Sequence, residues 1–150
     1  MKKKIIVVSG YFNPIHGGHL SHMKEAKKLG DELWVIVNND KQQILKKGKI
    51  ILDEKERMAI ISELKCVDRV VLSKDKDISI TKSLKSIAEE NPDCQIVLAK
   101  GGDRNFDNLP RAEQEVCQKY QIKVISGVGA DKVNSSSRIT KLLKGKLKED

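Results

Sequence analysis

Histidines 16 and 19 stand three apart with two glycines between them, in the run Ser9-Gly10-Tyr11-Phe12-Asn13-Pro14-Ile15-His16-Gly17-Gly18-His19-Leu20. In the first turn of a helix, two imidazoles at that spacing fall on one face. A helix start also presents unpaired N–H groups and partial positive charge, which together favour an anion. Gly17 and Gly18 remove side chains between the rings and let a phosphate approach the backbone. Two imidazoles aimed at one phosphate can stabilise charge developing on its oxygens during an in-line displacement. The plain alternative is that His16 and His19 are capping or surface residues. Their pairing directly after a Gly-aromatic-Asn-Pro turn favours the chemical reading. A zinc site of His16, His19 and His22 is disfavoured, because no acidic or cysteine partner lies near them in sequence.

A second group of chemical interest is Asn134-Ser135-Ser136-Ser137-Arg138-Ile139. Successive hydroxyls at a helix start can cap it, and the same geometry can hold phosphate oxygens. Both readings stay open on the residues alone.

These residues need a scaffold, and the apolar periodicity supplies one. Strands are expected at 4–9, 32–38, 68–72, 94–99 and 122–126, and helices at 17–29, 53–64, 80–90, 109–120 and 136–143. Gly30 is placed to close the first helix. Asp53 reads as the N-cap of the second, with Glu56 three residues on to complete a capping box. The stretch between strand 32–38 and helix 53–64 reads as a polar, lysine-rich connection. Strands alternating with helices imply an α/β fold: a doubly wound, Rossmann-like parallel sheet of five strands, helices on both faces. The expected strand order is 3-2-1-4-5, with ligands beyond the carboxyl ends of the strands at the switch point. The unusual residues gather after strands one and four.

The 150 residues fit one domain, 1–150, with 144–150 expected to fray. The apolar runs are strand-sized and too short to cross a bilayer, and no secretory signal is expected. Cys66, Cys94 and Cys117 lack metal or disulfide spacing and read as reduced core residues, which points to the cytoplasm. The net charge of +8 favours an anionic partner, but aromatics are only 3% of the chain and the lysines are scattered. Nucleic acid is therefore a weaker candidate than a small anion. No GxGxxG follows the first strand and no Walker A sequence occurs, which disfavours a dehydrogenase or a P-loop kinase.

The histidine segment resembles the HxGH nucleotidyltransferase superfamily, and within it the cytidylyltransferase-like group. That group includes glycerol-3-phosphate cytidylyltransferases, heptose 1-phosphate adenylyltransferases and archaeal FAD synthetases. The resemblance runs from Ile5 to about Leu143. It implies transfer of a nucleoside monophosphate from an NTP to a small phosphorylated acceptor, with release of pyrophosphate. By the same resemblance, His16 and His19 are catalytic and Gly10, Tyr11 and Phe12 border the nucleotide. Lys46 or Lys47 and Arg57 meet phosphates, while Lys100, Gly101 and Asp103 form the turn that meets base and ribose. Ser135, Ser136 and Ser137 contact the NTP phosphates. Their bland counterparts are solvated lysines, an Arg57 paired along its helix with Asp53, and a simple Gly-Gly turn. Magnesium accompanies the triphosphate in such a reaction, and the family implies a homodimer.

Two departures qualify the pattern. Phe12-Asn13-Pro14 is similar to nicotinamide mononucleotide adenylyltransferases, yet Thr140 replaces the arginine with which those enzymes close. Ser126-Gly127-Val128-Gly129 lacks the arginine that precedes the serine run in cytidylyltransferases, which leans the donor toward ATP over CTP. Lys100-Gly101-Gly102-Asp103 is closest to the heptose 1-phosphate enzymes, and Ser135 to Ile139 to the FAD synthetases. The rival from another class is a basic module that binds nucleic acid without catalysis.

Overall fold

Ile5, Ile6, Val7 and Val8 form an unbroken apolar run, which a strand covered on both faces requires. In the computed structural model, which describes residues 2–102 and 104–129, that run is the centre of the sheet. Strand β1 (Lys3–Gly10) leads through α1 (Gly17–Lys27) to β2 (Glu32–Val37). Two helices follow, α2 (Asp40–Lys47) and α3 (Glu54–Ser62), before β3 (Arg69–Leu72). The chain then returns through α4 (Thr81–Glu90) to β4 (Cys94–Ala99) and through α5 (Arg111–Lys119) to β5 (Lys123–Ile125). The five strands are parallel in the order β3-β2-β1-β4-β5, as expected.

Alternate side chains of each strand sort into two core layers. Ile5, Val7, Trp34, Ile36 and Leu98 pack with Leu84 and Ile87 of α4 and with Val116 and Cys117 of α5. Ile6, Val8, Leu33 and Val35 pack with Met23 and Ala26 of α1 and Ile61 of α3. Each fully buried aliphatic side chain contributes about 1.5–3 kcal/mol, so the central strands anchor the fold. The chain winds outward from β1 on one side and resumes at β4 on the other. The crevice at the carboxyl ends of β1 and β4 is therefore the switch point.

Three local expectations change. The polar connection after β2 contains helix α2, capped by a reciprocal pair in which Asn39 accepts from Gln42 N–H and Gln42 from Asn39 N–H. Its buried residues are Gln42 and Gln43, while Leu45 is 63% exposed, so no apolar stripe marked it. At α3, Asp53 accepts from Glu56 N–H at 2.8 Å, but the returning half of the expected capping box does not form. Gly30 does not end α1 in a left-handed turn. A Cβ there would lie 2.8 Å from Ile6 Cδ1 and 2.9 Å from the Lys4 carbonyl, so its role is close approach to β1. The expected helix 136–143 and tail 144–150 lie outside the described residues.

Candidate active site

Beyond Gly10 the chain turns sharply. Phe12 takes a left-handed backbone (φ 53°) with its ring 4% exposed, a conformation a bulky residue holds only under tertiary constraint. That ring occupies the space over Gly10, where a Cβ would stand 2.9 Å from Phe12 Cζ. Asn13, also buried, accepts from the N–H groups of Ile51 and Leu52 at 2.9 and 2.7 Å and so ties the segment before α3 to the turn.

His16 is the N-cap of α1. Its Nδ1 accepts from Gly18 N–H at 3.0 Å, and His19 Nδ1 accepts from His16 N–H at 3.2 Å. Two histidines thus build the reciprocal cap that a Ser/Thr and a Glu usually build. The capping and chemical readings are compatible, because each uses a different nitrogen. A ring nitrogen that accepts from an amide carries no proton, so each neutral imidazole keeps its proton on Nε2, across the ring from the cap. The rings lie 3.9 Å apart, tilted by 32°, and the first turn of α1 holds no acidic residue. The arrangement offers two N–H donors beside a helix start, which suits a phosphate.

Lys46, in the last turn of α2, brings its Nζ to 4.7 Å from the centre of the Tyr11 ring. Lys47 follows one position later, about 100° around the helix. The Tyr11 hydroxyl is buried without a hydrogen-bond partner.

Arg57, read from the sequence as a phosphate contact, lies in the first half of α3. Its side chain has no exposed surface, and four of its five N–H donors bond within the protein. Nε donates to the Leu52 carbonyl at 2.9 Å, and Nη1 to the carbonyls of Tyr11 at 2.6 Å and Asn38 at 2.7 Å. Nη2 meets Asp40 Oδ1 at 2.8 Å. Arg57 clamps the ends of β1 and β2 to the starts of α2 and α3, a role that its sequence reading did not include. Asp53, the alternative partner, caps α3 instead.

Lys100 follows β4. Its N–H donates to the Ile125 carbonyl and its carbonyl accepts from Val128 N–H, which extends the ladder to β5. Its side chain is 7% exposed; burial pushes the ammonium below the usual lysine range, and the nearby Glu113 carboxylate opposes that. Gly101 and Gly102 make the turn beyond, Gly102 with φ 59°. Gly101 faces His22, whose Nδ1 donates to the Val128 carbonyl at 2.6 Å. The third histidine therefore joins α1 to the loop after β5. Asp103, Ser135, Ser136 and Ser137 lie outside the described residues. Among the described residues no group of three His, Cys, Asp or Glu is placed to hold a metal ion. No helix described is long and apolar enough to cross a membrane.

Several contributors escaped sequence reasoning. Gln42 accepts from Asn38 Nδ2 and donates to the carbonyls of Asp77 and Ser79, locking the loop after β3 onto α2. Glu113 likewise had no local signal, since an isolated polar residue reads the same whether buried or exposed.

The cytidylyltransferase-like family model matches residues 7–141. The chain belongs to this family and is a nucleotidyltransferase. It is 36% identical to the FAD synthase of Thermoplasma volcanium and 37% identical to that of Thermoplasma acidophilum, each over 91% of both chains. It is 38% identical to the bifunctional protein HldE of Blochmanniella floridana, across 82% of this chain and 24% of that protein. Among solved structures, a lipopolysaccharide core biosynthesis protein from Thermoplasma volcanium superposes with a TM-score of 0.65 at 32% identity. That match covers 86% of this chain and 99% of the other. The resemblance drawn from the histidine segment thus extends over the fold.

Proposed function

We propose that the protein transfers AMP from ATP to the phosphate of a small phosphomonoester, with FMN the first acceptor to test. The observation that carries the transfer chemistry is the paired histidine cap, which presents two Nε2–H donors at the start of α1. An oxygen of the acceptor phosphate attacks the α-phosphorus of ATP. The bond from that phosphorus to the oxygen bridging to the β-phosphate breaks, and pyrophosphate leaves with the electron pair. His16 and His19 stabilise the charge that grows on the phosphate oxygens. The fixed tautomer means that no proton need be rearranged as this happens. Lys46 or Lys47, Lys100, Gly101 and Asp103 serve the nucleotide and its phosphates, with Ser135 to Ser137 added from the final segment.

Bound with the triphosphate, magnesium would supply charge neutralisation on the leaving pyrophosphate. ATP and FMN are supported by relatives named FAD synthase that match over nearly their whole length. A second acceptor, heptose 1-phosphate, is favoured by Lys100-Gly101-Gly102-Asp103 and by the match to HldE.

The test is pyrophosphate release from each of four NTPs against FMN, heptose 1-phosphate and glycerol 3-phosphate, with FAD read by chromatography. Release with ATP and one phosphomonoester is expected. No release from any pair, beside salt-dependent retention on nucleic acid, would favour the binding module. Preference for CTP would overturn the donor alone. A homodimer rests on family resemblance, and sedimentation velocity reads it.

A further inference from the structure

The third histidine of α1 takes no part in the cap. His22 lies three positions beyond His19 on the same face of the helix. Its Nδ1 stands 2.6 Å from the Val128 carbonyl oxygen. A carbonyl oxygen only accepts, so here Nδ1 is the donor, whereas the same nitrogen accepts in His16 and His19.

Val128 is the residue by which the loop after β5 is tied down. Its N–H donates to the Lys100 carbonyl at 3.0 Å, and its own carbonyl accepts from His22. Its neighbours Gly127 and Gly129 take left-handed backbones, with φ 67° and 109°. Glycines impose little conformation of their own, so a loop built on them takes its shape from outside ties. A Cβ at Gly129 would lie 3.0 Å from His22 Cα, which sets the loop directly on the backbone of α1. A Cβ at Gly101 would meet both His22 Nδ1 and the Val128 oxygen at 3.5 Å. The turn after β4 and the loop after β5 thus converge on one ring of α1.

These are the segments a bound nucleotide would span. Its phosphates belong at the start of α1, and the crevice beyond the carboxyl ends of the strands leaves base and ribose against the two glycine turns. A loop already held in place loses less freedom when the ligand arrives, and affinity rises accordingly.

We propose that His22 is a positioning residue for the nucleoside half of the donor. Its bond to Val128 holds the Gly127–Gly129 loop at the spacing from α1 that base and ribose require. It acts through Val128 and not on the reacting atoms. The proposal rests on the nucleotidyl-transfer reading and assigns the effect of His22 to the nucleoside, apart from the phosphates.

The experiment is calorimetry on the full chain with ATP and, separately, with inorganic tripolyphosphate, both with magnesium. Leucine is a good helix former, and His22→Leu should weaken ATP binding by about tenfold, the scale of one lost hydrogen bond. Tripolyphosphate affinity should stay within twofold, a split that general damage to the fold would not produce. The amide nitrogen of asparagine stands as many bonds from the backbone as Nδ1, so His22→Asn should recover most of the loss. Gly129→Ala strains the same contact from the loop side and should weaken ATP alone. Unchanged ATP affinity in His22→Leu overturns the proposal, as does an equal loss for both ligands. A His22→Asn protein no tighter than His22→Leu also overturns it, since ring packing would then account for the effect. Should urea melts show His22→Leu unfolded, the other two variants decide. His22→Asn near wild type with Gly129→Ala weakened for ATP alone supports the proposal, and any other pair of results overturns it. Wild type that binds no NTP removes the transfer reading and this proposal together, whereas normal binding with His22→Leu unaffected removes the proposal alone.

Discussion

Phe12 meets His19 edge to face, their ring centroids 5.0 Å apart and their planes at 74°. The same Phe12 ring fills the space above Gly10, so a strand-end glycine and a helix histidine are coupled through one aromatic side chain. The His19 ring is therefore held from two directions, by its bond to His16 N–H and by the Phe12 edge.

Gly10→Ala tests this coupling. The new methyl must displace a ring that is packed in the core, at a cost of about 1–3 kcal/mol. Because His19 moves with the ring, turnover should fall at least tenfold. Urea unfolding and pyrophosphate release measure the two effects, and wild-type turnover in a destabilised variant would show that the ring does not position His19.

His16→Asn separates capping from chemistry. Asparagine is among the best N-caps, so stability should stay within about 0.5 kcal/mol. Turnover should fall by roughly a hundredfold or more, about 2.7–4 kcal/mol of transition-state stabilisation. His19→Ala should lose activity similarly and also lose its half of the cap, about 0.5–2 kcal/mol. An active His16→Asn enzyme would reduce His16 to a cap.

Arg57→Ala should act on folding. It leaves Asp40 and three carbonyls without their charged donor, and removing one partner of such a network costs about 3–5 kcal/mol. Denaturant melts should show the loss in the absence of any ligand. A variant as stable as wild type, with only its nucleotide affinity weakened, would give Arg57 the phosphate role in place of the clamp.

Cys117 carries a pH signature. Burial, with Glu113 adding to it, pushes its thiol up to about 11 from 9.0. An acid whose folded value is raised stabilises the fold while protonated. That contribution is complete below pH 9 and is lost as pH rises toward 11. Relative to Cys117→Ala, wild type should lose up to about 2–3 kcal/mol across that window. Parallel pH profiles for the two proteins would contradict the shift. At pH 8 the thiol should resist alkylation, since the thiolate is the nucleophile.

Much of the fold was legible in the residues. Unbroken apolar runs such as Ile5 to Val8 declare strands buried on both faces, and their alternation with helical patterns leaves few topologies once crossovers are right-handed. The spacing of His16 and His19 after a strand placed the site at the switch point and led to the family. Helix α2 was hidden because the face it buries is made of Gln42 and Gln43, which carry no hydrophobic period.

What local pattern could not supply was the partner of each polar group. Arg57 finds acceptors 17, 19 and 46 positions away, and His22 reaches Val128 across 106. Residue type and spacing determined that this chain forms a parallel sheet with a paired-histidine helix at its switch point. Tertiary structure alone decided that the arginine is a clamp, that both histidines cap the helix through Nδ1, and that Lys100 is buried. The reason is physical. Hydrophobic burial is encoded by short-range periodicity, whereas a buried donor takes whichever acceptor the finished packing brings within about 3 Å.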